Sequence, residues 1–394
     1  MLLNIKNKKI CFIIVCIILF LVFTNYDYGT KILLLTPVIF LINPNLFLLT
    51  DKNVIVIFLF SIFFYFNQNL KIDYTSNFLS NIHFLFYPTL SYIIGKYIVL
   101  YYNNERKKII YFYIFIAVIF AIIPTLSILQ QLGNFTDGKR SMYLITNKDF
   151  LISATILGQF FVLTTIMIPF VLFKYKSYFV NLLLIVSSIL SILCVLRLGN
   201  RTQIILLFIS FFLNIILNYK FNTFKSNIYI IFLLFFSITT YNFIDINSKY
   251  FSQYSDRLNN KEAGIDSAGG RSEKWTNSLD LLIDNPTGWE LAKTGYAHNL
   301  WLDIAREGGV ISLVFICIIT ISFFINFYRF IKKINKKSNE NKNLKNYIII
   351  LGVCIHFYFF VEPIIDGMPI FFSFFLIFFG NLKMMNSLNT LQNI

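Results

Sequence analysis

The sequence predicts an all-α polytopic integral membrane protein with about twelve transmembrane helices and one large outer, periplasmic helical loop. Three observations predict it. Charged residues are only 13% of the 394, where a soluble domain carries about 25%. Hydrophobic residues are 57%. Apolar runs of about 18 residues recur from end to end, each long enough to cross a bilayer as a helix. Backbone groups inside lipid find no water, so such runs close their hydrogen bonds within themselves.

The spans are expected near 10–24, 31–50, 53–67, 78–100, 109–130, 150–173, 179–196, 202–219, 228–244, 309–328, 347–365 and 368–382. The first follows Lys6, Lys8 and Lys9 as a secretion signal would. No small-residue cleavage site follows in NYDYGTK, so this run is expected to stay as a span. Cys11, Cys16, Cys194, Cys317 and Cys354 all lie in apolar runs and are expected to pack rather than to pair or bind metal.

An even number of spans puts both termini on one side. The segments NNERKK (103–108), KYK (174–176), NYKFNTFK (218–225) and RFIKKINKKSNENKNLK (329–345) are basic and nearly free of acids. That asymmetry is expected to put them, and both termini, on the cytoplasmic side of the membrane. It also accounts for most of the +15 net charge, so the basic balance implies no nucleic-acid partner. Three regions result: helices 1–9 over 1–244, the outer loop over 245–308, and helices 10–12 over 309–394 with the basic cytoplasmic loop 329–346.

The outer loop has its own helical pattern. In SEKWTNSLDLLIDNP (272–286), Trp275, Leu279, Leu282 and Ile283 form one apolar stripe that stops at Pro286. In HNLWLDIAREGG, Leu300, Trp301, Ile304 and Ala305 form another, stopped by Gly308 and Gly309. These two helices are expected to make a small cap on the outer surface, the second running into the membrane.

His298 opens that second helix, where water, membrane and cap meet. Imidazole accepts a proton near neutral pH without special tuning. A lone histidine is more often structural, but the other two, His83 and His356, lie in spans. Arg197 and Arg201 occupy a tight outer turn, LRLGNRTQ, against the positive-inside trend. Arg271 follows Gly269 and Gly270 at the head of the first loop helix. Snorkelling to headgroups is the plain reading of such arginines. The other is a site for phosphate, whose oxygens suit the guanidinium fork. Arg140, Lys139 and Lys96 are weaker candidates for the same anionic site. The outer loops hold no Asp-x-Asp, His-x-x-x-His or clustered Cys, so no metal or other cofactor is expected.

The run GGRSEKWTNSLDLLIDNPTGW followed by AHNLWLDIAREGGVISLVF resembles the O-antigen polymerase and O-antigen ligase superfamily. The arginine in NRTQ two spans earlier is part of that resemblance. It departs in reading GNRTQ rather than Ser-x-Ser-Arg-Gly, which leaves open whether Arg197 or Arg201 corresponds. The resemblance implies a membrane-embedded glycosyltransferase. The enzyme would transfer a saccharide from undecaprenyl diphosphate to an acceptor hydroxyl at the outer leaflet, without metal and with inversion. His298 would be the base. Arg201, Arg271 or Arg197 would hold the diphosphate, and Asn299 and Glu307 would orient the imidazole or the sugar. A repeat-unit polymerase is the leading reading. Its partners would be lipid-linked donor and acceptor oligosaccharides, membrane lipids and a chain-length regulator protein. An O-antigen ligase or protein O-oligosaccharyltransferase would share the chemistry. A flippase, the alternative of another class, would need more polar residues in mid-membrane than these spans carry.

Overall fold

The computed structural model describes residues 5–25, 29–43, 49–71, 82–130, 141–171, 178–218, 271–334, 339–367 and 369–391. The expected span at 228–244, the part of the outer loop before residue 271, Lys139 and Arg140 lie outside the described residues.

The architecture is helical. The elements are α1 (Ile5–Thr24), α2 (Gly29–Ile32), a 3-10 turn (Leu33–Leu35), α3 (Pro37–Ile42), α4 (Lys52–Lys71), α5 (His83–Tyr101) and α6 (Arg106–Gln130). A hairpin of β1 (Ser141–Leu144) and β2 (Asn147–Ser153) follows, then α7 (Ala154–Gln159), α8 (Val162–Val171), α9 (Tyr178–Leu198) and α10 (Arg201–Asn218). The last group is α11 (Arg271–Asp284), α12 (Leu291–Thr294), α13 (Leu300–Lys333), α14 (Asn339–Val361), α15 (Ile364–Gly367) and α16 (Pro369–Leu391). Among the described residues five helices are long and apolar enough to cross a membrane: α5, α6, α13, α14 from Glu340, and α16 to Leu388.

Two expected spans take another form. The run 31–50 is broken into α2, the 3-10 turn and α3. Pro37 starts α3, and it brings no backbone N–H to continue the preceding turn. The run expected to begin at 150 opens instead as β2, paired antiparallel with β1 through Met142↔Ile152 and Tyr143↔Leu151. A short apolar run reads alike as strand or helix, and the pairing partner decides it.

The chain forms two compact units. One comprises residues 1–116, 270–345 and 355–394; the other comprises 117–269 and 346–354. In the first, α5 and α16 approach backbone to backbone. Gly95 faces the Ile377 carbonyl and Gly380 faces the Tyr92 carbonyl, with no room for a Cβ at either position. Small residues at such crossings let membrane helices pack closely. Asp51 caps α4 by accepting from the backbone nitrogens of Asn53 (2.9 Å) and Val54 (3.2 Å). Its other oxygen takes Lys96 Nζ at 2.8 Å and the Tyr92 hydroxyl at 3.1 Å. Lys96 is thus committed to an internal pair, as an ionisable group within a span requires, and is not an outer anion site.

The largest departure lies in α13. The loop helix is expected to stop at Gly308 and Gly309 as it runs into the membrane. Gly309 has φ +72 and ψ −175, which breaks the helix into two arms. Trp301 Nε1 donates to Thr320 Oγ1 at 3.1 Å, 19 residues away. A continuous helix would hold those residues about 28 Å apart at 1.5 Å per residue. The arm 300–308 therefore turns back along the arm 310–333. Its apolar stripe is packed as expected: Leu300, Ile304 and Ala305 are buried, and Trp301 lies against Phe360 with ring centroids 4.7 Å apart.

In the second unit, Asn200 Nδ2 donates to the Ala154 carbonyl at 2.8 Å, and Ser210 Oγ to the Ile166 carbonyl at 2.6 Å. These bonds fasten the turn before α10, and α10 itself, to α7 and α8. Gly158 lies directly against the Asn200 amide, where a side chain would not fit.

Candidate active site

The site is built where the two ends of the outer loop motif meet. Arg271 begins α11, and Trp275 and Ser278 share its helix face at spacings of four and three. Trp275 Nε1 donates to the Ala297 carbonyl at 2.8 Å. This bond fixes α11 beside the backbone that carries His298. Ser278 is buried on the same face, whereas Leu279 and Ile283 are exposed. The packed face of α11 is therefore rotated from the expected stripe, because one anchoring tryptophan sets its azimuth.

The turn at 297–299 shows how the histidine is held. His298 has φ +54, in the left-handed region that non-glycine residues seldom adopt. The residues on either side fix it there. The backbone nitrogens of Ala297 and Asn299 donate to the two oxygens of Asp303, at 2.8 and 3.1 Å. Asp303 is fully buried. Asn299 then caps the arm 300–308, its side chain accepting from Trp301 N and Leu302 N at 3.2 and 3.3 Å. Such a cap is worth about 1 kcal/mol. Backbone strain of this kind, held by its surroundings, is characteristic of functional turns.

The pieces of the quoted motif lock together at the other end of the arm. Val310 N donates to the Pro286 carbonyl at 2.8 Å, and Trp289 N to the Arg306 carbonyl at 2.9 Å. Asn67 Nδ2 on α4 donates to the Gly308 carbonyl at 2.7 Å. The Asn-Pro and Gly-Gly signals thus close one loop against another.

Arg271 and His298 come together through a third residue. Glu362, just past α14, places Oε1 3.5 Å from an Arg271 guanidinium nitrogen and Oε2 3.8 Å from His298 Nδ1. The carboxylate side chain is 7% exposed, while those of Arg271 and His298 are about a quarter exposed. One buried carboxylate therefore faces a cation and an imidazole, both open to solvent. The 3.8 Å gap is too long for a hydrogen bond. Asn299 and Glu307 are engaged elsewhere. Asn299 caps its helix, and Glu307 pairs with Arg306 at 3.0 Å and accepts from Gln68 Nε2 at 3.3 Å.

Arg197 and Arg201 lie in the other unit and differ in kind. Arg197 ends α9 and is 2% exposed; Arg201 starts α10 and is half-buried. Of the two, Arg201 is the one with surface to offer an anion. Among the described residues no group of three or more His, Cys, Asp or Glu side chains could hold a metal ion.

Residues 186–317 match the family model for the O-antigen ligase, Wzy_C. Over that segment, about a third of the chain, the sequence is similar to the O-antigen ligase family. The match spans Arg197, Arg201, Arg271 and His298 and ends within α13, so Glu362 lies beyond it. No curated protein matches the chain. Proteins of this superfamily are membrane glycosyltransferase-like enzymes that serve lipopolysaccharide and polysaccharide biosynthesis.

Two residues of the site were not singled out from sequence. Asp303 reads as an ordinary first-turn acid on a helix. Glu362 is visible in VEPIIDG only as an acid at the edge of an apolar run. An acid set against a proline at a span end was the available signal.

Proposed function

We propose that the protein polymerises oligosaccharide repeat units carried on undecaprenyl diphosphate, at the outer leaflet of a bacterial inner membrane with its termini in the cytoplasm. The observation that carries the reading is the single buried carboxylate of Glu362 set between Arg271 and His298. A base oriented by a carboxylate, beside a cation, is what displacement of a phosphate leaving group requires.

In the proposed step the acceptor hydroxyl loses its proton to the ring nitrogen of His298 that does not face Glu362. The hydroxyl oxygen bonds to the anomeric carbon of the donor. The bond from that carbon to the diphosphate oxygen breaks, and its electron pair leaves with the diphosphate. Attack opposite the leaving group inverts the anomeric centre. Glu362 stabilises the imidazolium that forms. Arg271 takes up the charge on the leaving oxygen. Its place in the NRTQ turn makes Arg201 a candidate for binding diphosphate as well.

The matching family's description favours a second reading, transfer of a finished chain to a lipid or protein acceptor by the same chemistry. The purified protein, given only the lipid-linked repeat unit, separates the two. A ladder of products is expected. No product until a lipid A-core or protein acceptor is added assigns the ligase role. His298→Ala should slow either reaction by about 10² to 10⁴. Undiminished turnover in that variant removes the transferase reading.

A further inference from the structure

The transfer step leaves one exposed ring at the site without a task. Tyr296 is 39% exposed, and its ring centre lies 6.4 Å from that of His298 with the planes 72° apart. It is not a loose surface ring. The Arg306 guanidinium carbon stands 5.9 Å from its centre, a cation–π distance. Arg306 is itself buried and held by Glu307, which is held in turn by Gln68 on α4. On the chain side, Gly295 adopts φ +68, and the backbone nitrogen of Ala297 is bonded to Asp303. Arg306 lies over the phenol ring, and the backbone on either side is bonded, Gly295 N to the Leu291 carbonyl at 2.7 Å and Ala297 N to Asp303, yet part of the ring remains open.

A rigid, exposed aromatic ring binds a flat amphipathic ligand at small cost in conformational entropy. A pyranose ring is such a ligand, with C–H groups on its faces and hydroxyls at its rim. A sugar whose hydroxyl meets the His298 imidazole can also reach the Tyr296 ring, whose centre is 6.4 Å away.

We propose that Tyr296 is the platform on which the acceptor sugar stacks, its C–H face on the phenol ring and its nucleophilic hydroxyl toward His298. The proposal rests on the transferase reading above. It assigns Tyr296 to acceptor recognition and leaves the diphosphate to the arginines.

The test uses the full-length protein in nanodiscs. The probe is the lipid-free oligosaccharide of the repeat unit, which carries the acceptor hydroxyl but no diphosphate. Its binding is measured by calorimetry or saturation-transfer NMR. Tyr296→Ala should weaken that binding roughly tenfold, as loss of an aromatic stacking partner does. Tyr296→Phe and Tyr296→Trp should bind as the native protein does, and Arg271→Ala should leave the binding unchanged. Turnover of saturating lipid-linked substrate should persist in Tyr296→Ala, with KM raised rather than kcat lowered. Native binding by Tyr296→Ala, equal loss in Tyr296→Phe, or no binding by the native protein overturns the platform. His298→Ala in the same preparation separates the two ideas. If it is inactive while Tyr296→Ala binds normally, the platform falls and the transferase reading stands. If it remains active, both fall.

Discussion

Gly309 lies so close to Pro286 that a Cβ on residue 309 would stand 2.6 Å from the Pro286 carbonyl oxygen. That oxygen already accepts from Val310 N at 2.8 Å. The reversal of α13 therefore has two requirements that only glycine meets, a left-handed φ and an absent side chain. Gly309→Ala is expected to lower the melting temperature of the solubilised protein and to abolish activity. This pairing of φ and ψ, essentially confined to glycine, costs a residue with a Cβ about 1–3 kcal/mol, and the clash adds to it. Thr320→Val should be much milder, removing only the Trp301 acceptor. Equal activity in Gly309→Ala and the native protein would show that the reversal does not position His298.

Glu362 touches no substrate in the proposed step, so its role is to position and stabilise His298. Glu362→Gln keeps the shape and loses the charge that balances the imidazolium. Turnover should fall by at least about tenfold, a part of the roughly 10² to 10⁴ that general-base assistance supplies, with KM little changed. Glu362→Asp withdraws the carboxylate and should fall between the two. A steady-state comparison of kcat and KM decides it. Native kcat in Glu362→Gln sinks the assignment.

Asp303 is a matter of folding and geometry together. Removing its carboxylate leaves the backbone nitrogens of Ala297 and Asn299 buried without acceptors, each at a cost of about 1–3 kcal/mol. Asp303→Ala should unfold at lower temperature and lose activity. Asp303→Asn can still accept one of the two bonds and should lie between. Thermal denaturation of the solubilised protein, followed alongside activity, measures both effects. Loss of activity with no change in melting would mean that Asp303 acts on the chemistry directly.

Much of this was legible in the residues, and the failures have physical reasons. The apolar class follows from run length, and helices at five spans follow from it. The packed stripe of Leu300, Ile304 and Ala305 was visible because its period matches a helix face. The fold-back was not, because Gly308 and Gly309 read as a helix end while the chain after them is helical again. Its direction is held by residues outside the motif's own helix, the Pro286 carbonyl, Thr320 and Asn67 among them. The packed face of α11 was misjudged because Leu279 and Ile283 have the right spacing, whereas the bond from Trp275 sets the rotation. Glu362 was the least legible member. Its partners lie 64 and 91 residues upstream in sequence, and nothing local in VEPIIDG pairs it with either.

The proposed transfer handles phosphate charge with guanidinium groups, whose planar forks match phosphate oxygens. An excess of EDTA is therefore expected to leave the rate of chain growth unchanged in the purified system. Loss of activity that Mg²⁺ or Mn²⁺ restores would assign part of that work to a divalent ion.

The two arginines of the LRLGNRTQ turn should separate in their variants. Arg197 is 2% exposed, so its removal takes a charge out of a packed interior. Arg197→Ala is expected to lower the amount of folded protein, with the activity per folded molecule less affected. Arg201 heads α10 and is half-buried, so Arg201→Ala should fold and insert normally. If it binds diphosphate, its turnover falls by about 10² to 10³, the usual loss when one charge-stabilising donor is removed. Arg201→Lys should recover little, since an ammonium keeps the charge but not the two-pronged geometry. Quantifying inserted protein beside product ladders distinguishes the cases. Full activity in Arg201→Lys would reduce Arg201 to a headgroup anchor, and Arg271 would remain the cation assigned to the leaving group.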